Sequence, residues 1–476
     1  MMKIPMLVLS LIAATLSSSL YGDEVSLPGY LESVRQNHPF FARERISRDI
    51  EHQQQQRFLG DEDWVVTANP FYRHEERSWG NAFIAEKENL LSLSVGMERL
   101  FWSSGSRVAV AYDYNRLDRR YAPPTGVFDE HAHGVSVTYS VPLLKNKNGI
   151  LNRLNYDLQA FNIDLADVVA LENQEDFLEQ NGQLFLDWVF VTEQHRIANN
   201  RLYLAEEELQ RTEKKRRSFL VAEVDVLRAR DAVISAKQGL QRIEAQRKAL
   251  SAELATQSGD ARLYTAEPSF NLYALRALPD MKQALSTLKE NSRLLKRIDL
   301  RLEQLTHQRT GLENKTKPEL DLLLRGGLRS EKSEFSGSIK LDQPQYMVGM
   351  NFRYILGQRR AKADVSKTRM QQQQLRFERA SIYRQLAASL RNTLVQLNEL
   401  EGVMALSRQQ IDVARQRTAE ELRRHNQGRS ELTFVIQSRD NEQNAQLNYA
   451  ENAVSYQRLR LRYAALTDTL MTGVEQ

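Results

Sequence analysis

Hydrophobic positions recur along this chain with two different periods. Steps of three and four residues place apolar side chains on one face of a helix, which turns once every ~3.6 residues. Steps of two place them on one face of a strand. The helical period is clear over residues 151–168, where the apolar positions are Leu151, Leu154, Leu158, Phe161, Leu165 and Val168.

The period of two predicts β-strands in both halves of the chain. In the first half it predicts four strands, at about 62–73, 89–101, 106–116 and 134–143, and in the second half strands within about 318–356. Each strand would have one apolar and one polar face. Such a sheet suits either a soluble protein with a core on the apolar face or a membrane barrel with lipid on that face.

Two long stretches without proline predict two helical hairpins, at about 150–257 and about 358–470. At 1.5 Å per residue, an arm of roughly 68 residues would be about 100 Å long. The two turns are followed by the same short motif, in which an aliphatic pair, two further residues and then Arg-Asp occur in that order. The residues are Val226, Leu227, Arg230 and Asp231 at the first turn, and Val435, Ile436, Arg439 and Asp440 at the second.

The order helix, strands, long helix, turn, long helix occurs twice, and internal repeats are a strong guide to architecture. LSTLKEN at Leu285–Asn291 repeats LESVRQN at Leu31–Asn37, and each begins a helical pattern, which continues to about Arg57 and about Lys315. The predicted divisions are a signal peptide at 1–22, a first repeat at 23–258, a linker at 259–279 and a second repeat at 280–476.

Composition and charge narrow the class of protein. Charged residues are 26% of the 476 residues and the mean hydropathy is −0.53, which suits long amphipathic helices better than a thick core. The formal net charge of +4 does not indicate nucleic acid as a partner. The lack of cysteine excludes disulfides, thiolate metal sites and an N-terminal lipid anchor on cysteine.

The first residues have the pattern of a signal peptide. Lys3 precedes an apolar stretch, Pro5 to Leu16, and small polar residues lead to candidate cleavage sites after Ser19 and Gly22. No later stretch is apolar enough for a membrane helix. A chain of this kind would therefore hold a membrane only through a closed β-barrel.

Several motifs, taken with the twofold order, resemble the TolC family of outer membrane efflux proteins, and the resemblance covers nearly the whole mature chain. The motifs are LESVRQNHP at Leu31–Pro39, SVPLLKNKNG at Ser140–Gly149, LVAEVDVLRARDAV at the first turn, HNQGRSELTFVIQSRD at the second turn and RLRYAALTDTL at Arg460–Leu470.

The resemblance implies a mostly helical fold with a membrane β-barrel portion. Three copies would join their antiparallel coiled-coil hairpins into a trimeric α-barrel in the periplasm, and their strands into a shared barrel in outer membrane lipid. The protein would passively conduct substrates to the exterior from an inner membrane transporter and a periplasmic adaptor. The resemblance does not decide the cargo. Drugs, metals, polysaccharides and, through type I secretion, proteins are the alternatives.

The resemblance also implies roles for the two turns. They would lie at the periplasmic tip and dock the adaptor through Arg217, Ser218, Leu220, Val221, Gly428, Arg429, Ser430 and Glu431. A lumen constriction beside them would involve Asp225, Phe434 and Gln437. The family often has acidic side chains at the last two positions. This chain also departs in having four first-half strands instead of two, and no glycine within 216–223.

Local signals predict details of these turns. Gly428 is expected to end its helix in the left-handed conformation, which glycine tolerates. Ser430 is expected to cap the helix that follows. The cations from Lys214 to Arg217 fit either a docking surface or an ordinary helix C-terminus, whose dipole favours positive charge.

No catalytic, phosphate-binding or cofactor motif is present, so an enzyme is not predicted. His131 and His133 form a close pair that we place on an exposed loop, without the third ligand that a metal site needs. Two rival interpretations are a secreted or periplasmic coiled-coil scaffold or adaptor without a barrel, and an exported enzyme.

Overall fold

The structure is a computed structural model that describes residues 24–77 and 83–473. The predicted signal peptide, residues 1–22, lies outside the described residues. The chain forms two compact units. Of the described residues, the helical unit comprises 24–41, Glu175–Leu288 and 388–473, and the sheet unit comprises 42–77, 83–174 and Lys289–Ala387.

Long helices dominate the described residues. None of them combines the length and the apolar character needed to cross a membrane. The helices are α1 (Leu27–Asn37), α2 (Pro39–Leu59), α3 (Leu154–Arg217), α4 (Glu223–Ser258), α5 (Met281–Asn291), α6 (Arg293–Lys315), α7 (Phe335–Ser338), α8 (Arg359–Asn426), α9 (Leu432–Leu466) and α10 (Leu470–Gly473).

Two predicted helices are each divided in two. The pattern that begins at Leu31 is broken at His38, which is extended (φ −75°, ψ 130°) because the residue before a proline is disfavoured in the helical region. The pattern that begins at Leu285 is broken at Ser292, whose hydroxyl accepts a hydrogen bond from the N–H of Leu295 at 3.4 Å. Both breaks directly follow the repeated motif, so the two motifs end in the same way.

The sheet unit contains one antiparallel sheet of six strands in the order β2-β3-β4-β5-β7-β8, with β2 and β8 at its edges. The helical unit contains a short parallel pair, β1 and β6. The strands are β1 (Glu24–Val25), β2 (Val65–Glu76), β3 (Ala85–Phe101), β4 (Ser106–Tyr121), β5 (Val127–Pro142), β6 (Glu267–Pro268), β7 (Glu319–Lys332) and β8 (Gln343–Arg353).

The register gives the sheet one apolar and one polar face. On the polar face, the Ser94 hydroxyl donates to Asp113 Oδ1 at 2.6 Å, and Arg325 donates to the Ser136 hydroxyl at 3.1 Å. On the apolar face, Leu93 pairs with Tyr114, Val110 with Val137, and Leu324 with Val348. Within the described residues, the apolar side chains of edge strand β8 remain exposed: Tyr346, Val348, Met350 and Phe352.

The core of the helical unit lies where α1 packs on α3. The Tyr30 ring stacks on Phe185 with centroids 5.6 Å apart, and Phe185 meets Trp188 edge-on at 5.5 Å. The Tyr30 hydroxyl donates to Asn181 Oδ1 at 2.9 Å, so its buried polar atom is satisfied. Leu254 of α4 and Tyr456 of α9 complete this core.

The predicted linker, residues 259–279, is held against the helices of its own unit. The buried Gln457 amide donates to the carbonyl oxygens of Leu272 at 3.0 Å and Ala274 at 2.9 Å. The Tyr273 hydroxyl donates to Glu193 at 2.7 Å. Burial raises the pKa of Tyr273, and its hydrogen bond to Glu193 raises it further.

We predict that Gln457→Glu destabilises the helical unit by about 1–3 kcal/mol, because a carboxylate would replace an amide donor and face two carbonyl oxygens. The thermal unfolding midpoint of the purified protein checks this. Asn441→Asp introduces the same change at an exposed position of α9 and should leave the midpoint almost unchanged. Equal midpoints for Gln457→Glu and Asn441→Asp would contradict the prediction.

Candidate functional site: the two turns of the helical unit

The two hairpin turns make the same backbone hydrogen bonds. Each residue of the first turn has a counterpart in the second, always the same number of positions later in the sequence. In the first turn (218–222), the N–H of Leu220 donates to Lys215 O at 2.9 Å. In the second turn (427–431), the N–H of Arg429 donates to Arg424 O at 2.9 Å. Each turn also has the inner hydrogen bond of the Schellman motif. The Phe219 N–H donates it at 2.9 Å in the first turn, and the Gly428 N–H donates it at 3.0 Å in the second. The two turns therefore end their helices in the same way.

The residue in the left-handed position differs between the turns. Gly428 has φ 71°, as its expected role in ending α8 requires. Phe219 occupies the same position in the first turn with φ 58°. This conformation costs a residue with a Cβ roughly 1–2 kcal/mol. The first turn therefore has the left-handed backbone conformation at a residue that is not glycine.

The two turns lie side by side in the helical unit. Lys215 Nζ donates to Asn426 Oδ1 at 3.2 Å, which joins the end of α3 to the end of α8. Behind the turns, Val435 packs with Ala229 and Leu432 in a small apolar cluster.

The residues predicted to dock an adaptor therefore lie in the two neighbouring turns, except Arg217, which is the last residue of α3. Val221 and Ser430 are half-buried, and the remainder are exposed: Arg217, Ser218, Leu220, Gly428, Arg429 and Glu431.

The expectation that Ser430 caps α9 is wrong. The N-cap residue is Glu431, and its side chain makes no capping hydrogen bond. The Ser430 hydroxyl instead donates to Glu421 of α8 at 2.9 Å, and the Ser430 carbonyl oxygen lies 2.9 Å from His425 Nδ1. These two contacts tie the second turn back to α8, so the Ser430 hydroxyl is engaged there and does not cap α9.

The predicted constriction residues occupy corresponding places in the two hairpins. The N–H of Asp225 donates to Ala222 O at 3.2 Å, and that of Phe434 donates to Glu431 O at 3.2 Å. Asp225 accepts a hydrogen bond from Arg228 at 3.3 Å. Phe434 is half exposed and Gln437 is exposed. The first hairpin therefore carries an ion pair where the second carries a phenyl ring and an amide.

A groove of about 700 Å³ runs beside the turns, between α4 and α9 and against α3. Its lining includes corresponding residues of the two hairpins, namely Arg228 and Gln437, and Asp231 and Asp440. Small side chains on α4 and the open space at Gly239 give the groove its width. Of the three predicted constriction residues, only Gln437 lines it.

The Arg-Asp pairs of the motif that follows each turn have different environments. Arg439 and Glu208 are both only 5% exposed at their side chains and form an ion pair at 3.4 Å. Arg439 also donates to Leu204 O at 2.6 Å, and Arg201 donates to Asp440 at 2.7 Å. Burial lowers the pKa of Arg439, although Glu208 acts in the opposite direction. These contacts set the register of α9 against α3.

In the first copy, the corresponding Arg230 lies 3.8 Å from Glu213, and both side chains are exposed. An exposed pair at this distance contributes little to stability. The repeated sequence motif alone did not distinguish the two arginines, because the burial of each side chain depends on whether a neighbouring helix covers it.

The described residues contain no group of three or more His, Asp or Glu side chains that could hold a metal ion. His131 and His133 do not lie on an exposed loop as predicted but within β5, and His133 is buried. The Tyr112 hydroxyl lies 2.7 Å from His133 Nδ1, and the Tyr114 hydroxyl lies 3.0 Å from His131 Nδ1. The pair belongs to an aromatic cluster at one end of the sheet.

We predict that Arg439→Met destabilises the protein by on the order of 3 kcal/mol, because Glu208 would stay buried without its partner. Adding Glu208→Met should restore most of the loss. Arg230→Met is the matched control and should change stability by less than about 1 kcal/mol. Chemical denaturation of the four proteins checks this, and equal losses for the two single arginine variants would contradict it.

Comparisons with known proteins find similarity in structure but not in sequence. No family model matches the chain, and no curated protein matches its sequence. The outer membrane protein VceC of Vibrio cholerae matches with a TM-score of 0.64 and 12% identity, over 93% of this chain and 95% of that one. The Campylobacter jejuni CmeC outer membrane channel matches with a TM-score of 0.64 and 12% identity, over 93% and 86%.

A membrane protein from Pseudomonas aeruginosa also matches, with a TM-score of 0.68 and 10% identity, over 93% of this chain and 90% of that one. At such low identity these matches establish the fold. They cover both units of the chain, including the sheet and both hairpins. The resemblance to the TolC family is therefore confirmed as a resemblance of fold.

Proposed function

We propose that this chain, which has the fold of outer membrane channels, is the outer membrane duct of a tripartite export system. The observation that carries the proposal is that one chain joins an amphipathic sheet with an exposed apolar face to two long helical hairpins, in the arrangement of those channels over 93% of its length. The duct would conduct substrates passively. The neighbours in structure are channels, in keeping with a protein that is not an enzyme.

The sheet supports assembly as a homotrimer. Its edge strands β2 and β8 each pair on one side only within the described chain. Six strands are too few to enclose a water-filled channel, whereas three such sheets joined edge to edge would supply a wide barrel. The apolar face would then meet outer membrane lipid, and the hydrogen-bonded polar face would line the pore.

The hairpins support the remainder of the proposal. In the trimer they would form a helical barrel in the periplasm, with both turns at its inner end. A periplasmic adaptor would dock there and connect the duct to an inner membrane transporter. We also propose that residues 23–258 and 280–476 are two copies of one repeat, joined through residues 259–279. The corresponding hydrogen bonds of the two turns support this.

The rival interpretations explain less of the molecule. A coiled-coil scaffold or adaptor has no use for six strands with an exposed apolar face. An exported enzyme likewise leaves the exposed apolar side chains of edge strand β8 without a role. Cell fractionation separates the proposals. A duct is recovered from the detergent-resistant outer membrane as a heat-modifiable trimer, whereas a soluble periplasmic protein would refute the proposal.

We predict that the double variant Arg429→Glu, Glu431→Arg abolishes export, because it reverses the exposed charges of the second turn and leaves the helices intact. Susceptibility to a panel of toxic compounds and metals, together with proteins in the culture medium, should match the deletion strain. Trimer in the outer membrane should stay at the parent level. The matched control reverses the exposed Lys237–Glu206 pair away from the turns, and unchanged export in the test variant would refute docking there.

We predict that Phe434→Ala raises the single-channel conductance of the purified protein in planar bilayers, because it removes a half-exposed ring from the proposed constriction. Leu406→Ala truncates an exposed apolar side chain of α8 farther from the turn and serves as the control. An unchanged conductance in Phe434→Ala would show that the ring does not face the lumen.

A further inference from the structure

Phe219 combines two unfavourable properties in one residue. Its backbone is in the left-handed region, with φ 58°, which disfavours any side chain with a Cβ. Its ring is 87% exposed, and the adjacent Leu220 is 74% exposed. The ring therefore gains little from burial within the chain that could offset the strained backbone.

The second turn shows that the fold does not require this residue. Gly428 occupies the corresponding position, with the same backbone hydrogen bonds and the same lengths of chain to the flanking helices. Glycine would satisfy the backbone of the first turn without strain. Residues in sparsely populated conformations often mark functional sites. A contact outside this chain would account for the exposed ring.

We propose that Phe219, together with Leu220, inserts into an apolar pocket at the tip of the periplasmic adaptor and makes the first turn the principal anchor of docking. This inference rests on the proposed function. Exposed aromatic side chains that fill a partner's pocket commonly dominate the binding energy of an interface. The second turn, with Gly428 and Arg429 at the corresponding positions, would supply polar contacts beside the anchor.

The charges around the ring specify the partner further. Four cations, from Lys214 to Arg217, form the last turn of α3, and only Ser218 separates them from Phe219. Arg216 pairs with Glu223 at 3.2 Å, and Lys214 and Arg217 are exposed. Arg424 and Arg429 add positive charge at the adjoining second turn. The partner pocket is therefore apolar at its centre, wide enough for a phenyl ring, and bordered by aspartate or glutamate.

A protein pocket fits the surface better than a bilayer. Within the first turn the large exposed apolar side chains are Phe219 and Leu220. Val224 and Leu227 are exposed farther along α4, and the adjoining second turn is polar. Stable membrane binding needs a larger apolar face or a second anchor. Two adjacent side chains can, however, fill one pocket of a protein.

The test measures binding and stability on the same full-length proteins in detergent. The variants are Phe219→Gly, which removes both ring and strain, Phe219→Ala, which removes the ring and keeps the Cβ, and Phe219→Tyr, which keeps the ring. The probes are the periplasmic adaptor proteins of the source bacterium, each purified without its membrane anchor. Affinity is measured by biolayer interferometry, and stability by the thermal unfolding midpoint.

We expect the glycine and alanine variants to bind the cognate adaptor at least about tenfold more weakly than the parent, and the tyrosine variant to bind within about threefold. The glycine variant should unfold at a temperature no lower than the parent. Weaker binding without lower stability would separate an anchor from a structural residue. Tyr203→Ala, which truncates an exposed aromatic of α3 away from the turn, should bind as the parent does.

The other outcomes overturn the proposal in distinguishable ways. If Phe219→Gly binds as the parent does while the Arg429 and Glu431 reversal still abolishes binding, the anchor is wrong and the proposed function stands. If the parent binds none of the adaptors, docking itself is wrong. If the glycine variant instead loses binding to phosphatidylglycerol vesicles, or loses self-association in light scattering, the partner is a membrane or a second copy.

Discussion

The packing of Tyr30 and Trp188 on Phe185 is the interaction on which the helical unit depends. It joins α1, near the start of the chain, to the middle of α3, and Leu254 and Tyr456 bring α4 and α9 to the same core. Segments from three separate parts of the sequence therefore meet at one place. Hydrogen bonds of Gln457 and Tyr273 hold the linker, residues 259–279, beside this core. The core therefore also determines the path of the linker.

Farther along the same helices, the packing is thinner and depends on charge. A small apolar cluster around Val435 holds the two turns together, and the buried Arg439–Glu208 pair sets the register of α9 on α3. Separating one member of a buried ion pair from the other leaves an unpaired buried charge, so alignments that part Arg439 from Glu208 are disfavoured. This part of the unit is therefore defined by specific partners rather than by bulk burial.

The two turns show how one backbone can carry two surfaces. Their hydrogen bonds correspond one to one, yet one turn presents Phe219 and Leu220 and the other Gly428 and Arg429. In the sheet unit the same separation of scaffold and surface occurs, because a single register of six strands places apolar and polar side chains on opposite faces. In both units the backbone sets the geometry, and the exposed side chains give the surface its chemistry.

The sequence alone determined the types of element, the two faces of the sheet and the positions of both turns, because hydrophobic period and turn residues act over a few neighbouring positions. The resemblance to the TolC family supplied the docking and constriction candidates, and the structure places the docking candidates in or beside the two adjoining turns. Only the tertiary structure decided that Arg439 is buried while Arg230 is exposed, and that His133 lies in a strand. It likewise decided that Ser430 bonds to α8 and that Phe219 takes a glycine conformation. These features depend on residues that are distant in sequence or on the closure of a turn, so no local pattern could specify them.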